Sequence, residues 1–208
     1  MHRFRTLIAT LALVIPVTAL AAPDPVPPLQ ANRANGGPKV RPNDRRSAAL
    51  LVEGLRLSAT VRRLVDQLEQ RRVVVYIQIE NRLKGRLAGS LTWITGTTHI
   101  RYVRISINPE LRGAAAVAVL GHELQHAIEV ANEPSIVDNK SLNAFYREHG
   151  ISTSVHRNNW DTEAAQLVGR DVRRDLSNAR NSYVLESLDD FDPLDWHIVY
   201  RRAREKGK

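Results

Sequence analysis

Residues 111–131 read LRGAAAVAVLGHELQHAIEVA, about six turns of continuous helical pattern. Asn108 offers a cap, Pro109 suits the first helical position and Glu110 the first turn. Asn132 and Glu133-Pro134 supply the stop. Val117, Leu120, Leu124, Ile128 and Ala131 form an apolar stripe on the side away from His122 and His126. Ala114, Ala115, Ala116, Ala118 and Gly121 are small enough to let another element approach closely. The two histidines stand at i and i+4, one above the other on one helix face, so both imidazoles can reach one metal ion. Glu123, about 100° round the helix, can lean over that ion without ligating it, as a carboxylate that deprotonates water does. The plain alternative is an exposed histidine pair on an amphipathic helix.

Upstream, Leu51, Leu55, Leu64, Val65 and Leu68 predict one amphipathic helix over 47–72. The period then becomes two. In VVVYIQIE, Val73, Val75, Ile77 and Ile79 share one face, and further strands are expected near 90–94 and over Ile100–Ile107, with Val103, Ile105 and Ile107 inward. Short connections favour antiparallel pairing of these strands. Ile100–Ile107 is expected at an edge, where an extended peptide could pair. Downstream, Gly150 closes a helix begun after Ser141, another helix is expected over 160–176, and a last one begins at Pro193. The expected fold is α+β: a small, mainly antiparallel three-stranded sheet packed on a backing helix and the helix of the two histidines, with further C-terminal helices.

The flanks carry different signals. Arg3 and Arg5 precede an apolar run from Leu7 to Leu20, and Ala19-Leu20-Ala21 has the small-x-small pattern of a signal-peptidase site, so residues 1–21 are expected to direct export to the periplasm or medium. Residues 22–46 hold six of the ten prolines and Gly36-Gly37, and read as an extended linker. Residues 47–208 are left for the folded domain. Of the 208 residues, 43% are apolar and 25% charged, the balance of a globular protein. With no cysteine, thiolate metal sites, thiol nucleophiles and disulfides are excluded. The net charge of +8 comes from arginines scattered along the chain, and export argues against a nucleic-acid partner. An electrostatic contact with anionic membrane or cell-wall polymer, through this surface and the terminal RRAREKGK, stays open.

Two histidines need a third ligand, since catalytic zinc generally has three protein ligands and one open position. Glu133, Asp138, His149, His156, Asp161 and Glu163 are the downstream candidates. Glu133 is too near the helix end to fold back, and His149 precedes the stop at Gly150. Glu163 is preferred: it opens a helix, and Ala164, Ala165 and Gly169 give that helix a small face for packing against the histidine helix. His156, in a Ser/Thr/Asn-rich loop, competes with it.

HELQH followed by a glutamate on a later helix resembles the gluzincin group of zinc metallopeptidases, above all their minimal single-domain members, over roughly Ser47–Leu176. The resemblance implies a zincin-like fold, zinc held by His122, His126 and Glu163, and Glu123 as the general base that hydrolyses a peptide or protein substrate. The metzincin pattern fails, because Glu129 and Asn132 stand where that family has its glycine and third histidine. Leu167 occupies the place of the acidic supporting residue of the thermolysin-like branch, which leaves Asp161 or Asp171 to orient a histidine. Tyr146, His149, His156 and Tyr183 all stay open as the donor to the transition state. A non-catalytic, exported zinc-binding protein that keeps the same site is the competing function.

Overall fold

The computed structural model describes residues 37–81, 83, 87–97, 99–152 and 160–182. The segment expected to direct export, most of the expected linker, His156, Tyr183 and the helix expected from Pro193 lie outside them. Among the described residues no helix is long and apolar enough to cross a membrane.

The fold begins inside the expected linker. Strand β1 (Val40–Pro42) runs parallel to β2 (Val73–Ile79), with Val40 opposite Val75 and fully buried. Glu69 holds this entry in place by accepting hydrogen bonds from the amides of Lys39 (2.7 Å) and Val40 (3.3 Å). Asp44 then caps helix α1 (Arg45–Leu57) in a reciprocal arrangement with Ser47.

The single helix expected over 47–72 is two. The chain turns extended at Ser58 (φ −125°, ψ 116°), and helix α2 (Ala59–Glu69) starts afresh. The Ser58 hydroxyl accepts from Val61 N at 3.2 Å and donates to Asp175 at 2.8 Å, while Thr60 N donates to the same carboxylate at 2.9 Å. These bonds satisfy the amides that a helix start exposes. The break costs no core, since Leu51 and Leu55 before it and Leu64 and Leu68 after it are all fully buried.

The sheet has four strands, not three, in the order β1-β2-β4-β3, and it is mixed. Strand β3 (Gly89–Gly96) pairs antiparallel with β4 (Arg101–Ile107), but β2 and β4 pair in parallel, Val73 with Arg101 through Ile79 with Ile107. The connection from β2 to β3 is long enough to carry the chain past one strand position, and the following turn then brings β4 back beside β2. Burial explains that order. Val103, Ile105 and Ile107 of β4 are fully buried, as a central strand requires, whereas β3 is half-buried to exposed along its length. β3, not β4, is therefore the edge strand next to the histidine helix. The inward faces of β2 and β4 are those the alternation predicted.

Helix α3 (Gly113–Asn132) packs on this sheet and carries both histidines. It starts four residues later than Pro109, because Asn108 closes a turn by accepting from Glu110 N (2.8 Å) and Leu111 N (3.2 Å). The chain enters α3 through Gly113 at φ 51°, a left-handed conformation suited to glycine. Helix α4 (Asn139–His149), capped by Asp138, ends at Gly150. A two-stranded ribbon, β5 (Ile151–Ser152) with β6 (Trp160–Asp161), leads into α5 (Glu163–Ser182). α5 lies tightly along α3. A Cβ at Gly121 would meet Val172 Cγ2 at 2.7 Å, and one at Gly169 would stand 3.7 Å from His122 Nδ1. Gly169 and the fully buried Ala165 belong to the small face expected of this helix, but Ala164 is exposed.

Candidate metal centre

His122 and His126 project from one face of α3 with ring centroids 4.8 Å apart, planes at 82° and Nε2 atoms separated by 3.2 Å. Asp161 arrives from the end of β6. Its Oδ1 lies 3.2 Å from His122 Nε2 and 3.4 Å from His126 Nε2. One ligand atom from each residue falls within 4.8 Å of the other two, so His122, His126 and Asp161 form a group that could hold a metal ion.

Two observations fit a cation there. Asp161 Oδ1 is shut off from water and has no hydrogen bond of acceptable geometry, although two nitrogens crowd it. Such an orphaned acceptor is costly unless something positive completes it. The surroundings also favour positive charge. Burial alone would lower the pKa of His126, but the adjacent Asp161 carboxylate, the hydrogen bond to Glu129 and the nearby Glu123 charge prevail and raise it to about 10. Burial likewise pushes the Asp161 carboxyl up, yet His122 and His126 more than offset this and hold it well below the usual carboxylate range.

Glu129 supports the arrangement from behind, and sequence reasoning missed it. Its Oε2 lies 2.8 Å from His126 Nδ1, and its Oε1 accepts from the Thr162 hydroxyl at 2.6 Å. A proton on Nδ1 satisfies this carboxylate and leaves the Nε2 lone pair directed at the group. Thr162 in turn accepts from Ala165 N at 3.1 Å, capping α5. One carboxylate thus orients a histidine of α3 and also ties down the residue next to Asp161. The signal was present, since Glu129 stands three residues after His126 on the same helix face.

Glu123 is buried, at 5% exposure, and burial raises its pKa. It borders a cavity of about 610 Å³ that also opens to His122, His126, Asp161 and Tyr146. The start of β3 closes one side. A Cβ at Gly89 would fall 2.8 Å from Glu123 Oε1 and 2.6 Å from Val119 Cγ1, so only glycine lets the edge strand lie this close to the carboxylate. Tyr146, on α4, sets its ring edge-on to His126 with centroids 5.0 Å apart. Its hydroxyl is buried without a hydrogen-bond partner, and burial, with Glu129 and Glu123 adding to it, raises its pKa well above the ordinary value. Burial thus keeps the phenol protonated, and Tyr146 is one of the residues that border the cavity.

The other candidates are placed elsewhere. Glu163 is exposed at the first position of α5 and is not one of the three grouped residues, because the helix starts directly after the Thr162 cap. Glu133 accepts from Ser135 N at 3.0 Å in a turn, and Asp138 caps α4. His149 is exposed and stacks on Phe145 with centroids 4.7 Å apart. Asp171 pairs with Arg174 at 2.5 Å and not with either histidine. No family model, curated protein or solved structure matches this chain, so its chemistry has to be read from this geometry.

Proposed function

We propose that the chain is a zinc-dependent peptidase, with His122, His126 and Asp161 as metal ligands and Glu123 as general base. The convergence of the three ligand atoms beside a buried, non-ligating Glu123 is the observation that carries this reading. Three N/O ligands from imidazole and carboxylate, with one side open to a cavity, are the donor set of a catalytic rather than a structural zinc. When bound, zinc supplies Lewis acidity, polarising the scissile carbonyl and acidifying the attacking water.

The protein's own groups supply the rest. The Glu123 carboxylate takes the proton of the attacking water and passes it to the leaving nitrogen. The Tyr146 hydroxyl donates a hydrogen bond to the oxygen on which negative charge develops. β3, the edge strand at the cavity, aligns an extended peptide by backbone pairing, the role the sequence pattern suggests for Ile100–Ile107, which is central in the sheet. Walls from α3, α4 and α5 limit water around the reacting bond. The N-terminal pattern adds that this peptidase acts after export, in the periplasm or the medium.

The test is Glu123→Gln, assayed with a broad peptide library and a zinc titration. Zinc stays near one per chain, and hydrolysis falls by about 10²–10⁴-fold, the usual contribution of a positioned acid–base group. A variant as active as the wild type removes Glu123 from the mechanism. Zinc binding at one per chain, with no chelator-sensitive cleavage by the wild type, favours the non-catalytic metal protein instead.

A further inference from the structure

Resting on the peptidase reading above, we propose that Arg170 and Arg173 form a carboxylate-recognition subsite on the α5 wall of the cavity. It selects peptides that present an acidic side chain or a free C-terminus there.

Gln166, Gly169, Arg170 and Arg173 all line the cavity. Their spacing of i, i+3, i+4 and i+7 is that of a single stripe on a helix, so one face of α5 is turned to the site. Both arginines are exposed, and among the described residues no carboxylate pairs with either one. Arg174, one position further on, differs: its guanidinium is engaged with Asp171 at 2.5 Å. Residues three apart on a helix hold their Cβ atoms about 5–6 Å from each other, close enough for two guanidinium groups to grip one carboxylate. Arginine presents a planar fork that matches the two carboxylate oxygens, and at a partly open cavity wall it does so with little desolvation penalty.

The charge of the cavity floor gives this pair a purpose. Glu123 and Asp161 put acidic side chains on the cavity lining beside the imidazoles, with Glu129 behind His126. An acidic peptide would be repelled by that floor alone. Two cationic side chains on the adjoining wall reverse the balance and fix where along the cleft the negative group must lie. The pair is therefore a specificity determinant that acts on substrate placement and takes no part in proton transfer.

The test measures peptide affinity on the full chain loaded with zinc and carrying Glu123→Gln, so that nothing is consumed. Three peptides of one sequence are compared: one with an internal Glu and an amidated C-terminus, one with Gln and a free C-terminus, and one with Gln and an amidated C-terminus. The Glu position is stepped along the peptide. At one position or at the free terminus, the carboxylate improves affinity by about tenfold, as expected for a charge-assisted contact in a partly solvated site. High salt erodes the preference. Which of the first two peptides gains identifies the source of the carboxylate. Arg170→Gln with Arg173→Gln brings the acidic-to-neutral ratio to about one, and the double lysine variant, which keeps the charge, restores part of it. Equal affinity for all three peptides, or binding of none, overturns the subsite. The same peptides given to the wild type separate the two readings. Preferential binding without cleavage sinks the peptidase and keeps the subsite, whereas cleavage without preference does the reverse.

Discussion

Replacing Glu129 by Gln should weaken metal binding without touching a ligand. Glu129 makes two short hydrogen bonds, 2.8 Å to His126 Nδ1 and 2.6 Å from the Thr162 hydroxyl. The first is well shielded, with side-chain exposures of 9% and 12%, so solvent screening takes little from it. An amide retains the shape and one acceptor oxygen, but it removes the charge that makes the imidazole a better donor to a metal. It also obliges Thr162 to turn its hydroxyl. Losses of this kind cost about 10–100-fold in metal affinity, or about 1.4–2.7 kcal/mol. At a fixed excess of zinc the stabilisation gained on binding falls by the same amount. For a folded unit of this size, the zinc-induced rise in Tm should then be smaller by about 3–10 °C. A chelator competition gives the affinity, and melting curves with and without zinc give the second number independently. If zinc binds Glu129→Gln within about twofold of the wild type, the carboxylate does not orient His126, and the chain of contacts from α3 to the start of α5 has no part in holding the ion.

Two further predictions separate the roles within the site. Asp161→Ala should abolish stoichiometric zinc binding in equilibrium dialysis, because it deletes one of three ligand atoms, whereas Glu163→Ala at the exposed start of α5 should leave zinc affinity within about twofold; the opposite pattern returns the third position to Glu163. Tyr146→Phe should keep zinc binding and KM and lower kcat by about 10²–10³-fold, the usual effect of losing one oxyanion donor. A change confined to KM would make Tyr146 a substrate-packing residue.

The body of helix α3, though not its start at Gly113, was legible because what it needs is local. The 3.6-residue period puts His122 above His126 and the apolar stripe against the sheet, and no distant residue can alter that relation. The inward faces of β2 and β4 were legible for the same reason, since a period of two fixes which side chains share a side. Strand order was not. It depends on which strand is apolar enough for the centre and on whether a connection can pass over a neighbour, and local alternation says nothing about the second. β1 was hidden in proline-rich sequence because a parallel edge of three residues needs only one buried side chain, Val40. The break at Ser58 was hidden because its leucines keep a plausible helical rhythm across it. The extended conformation there is held by Asp175, more than a hundred residues away.

The same distinction explains the third member of the candidate group. Glu163 is the natural choice if a ligand must sit on a helix, since first-turn glutamates are easily recognised from sequence. Asp161 instead belongs to a two-residue strand just before the cap, where direction is set by pairing with Ile151 and by the bond from Thr162 to Glu129. Each of those contacts joins segments distant in the chain. A ligand on the histidine helix is fixed by backbone geometry, whereas the one that completes the set is fixed by how α5 docks on α3. Gly121, where a Cβ would meet Val172 Cγ2 at 2.7 Å, limits that docking distance. The affinity of the site is thus coupled to helix packing: a side chain at position 121 that pushed α5 outward would draw Asp161 from the imidazoles even with every candidate ligand still in the sequence.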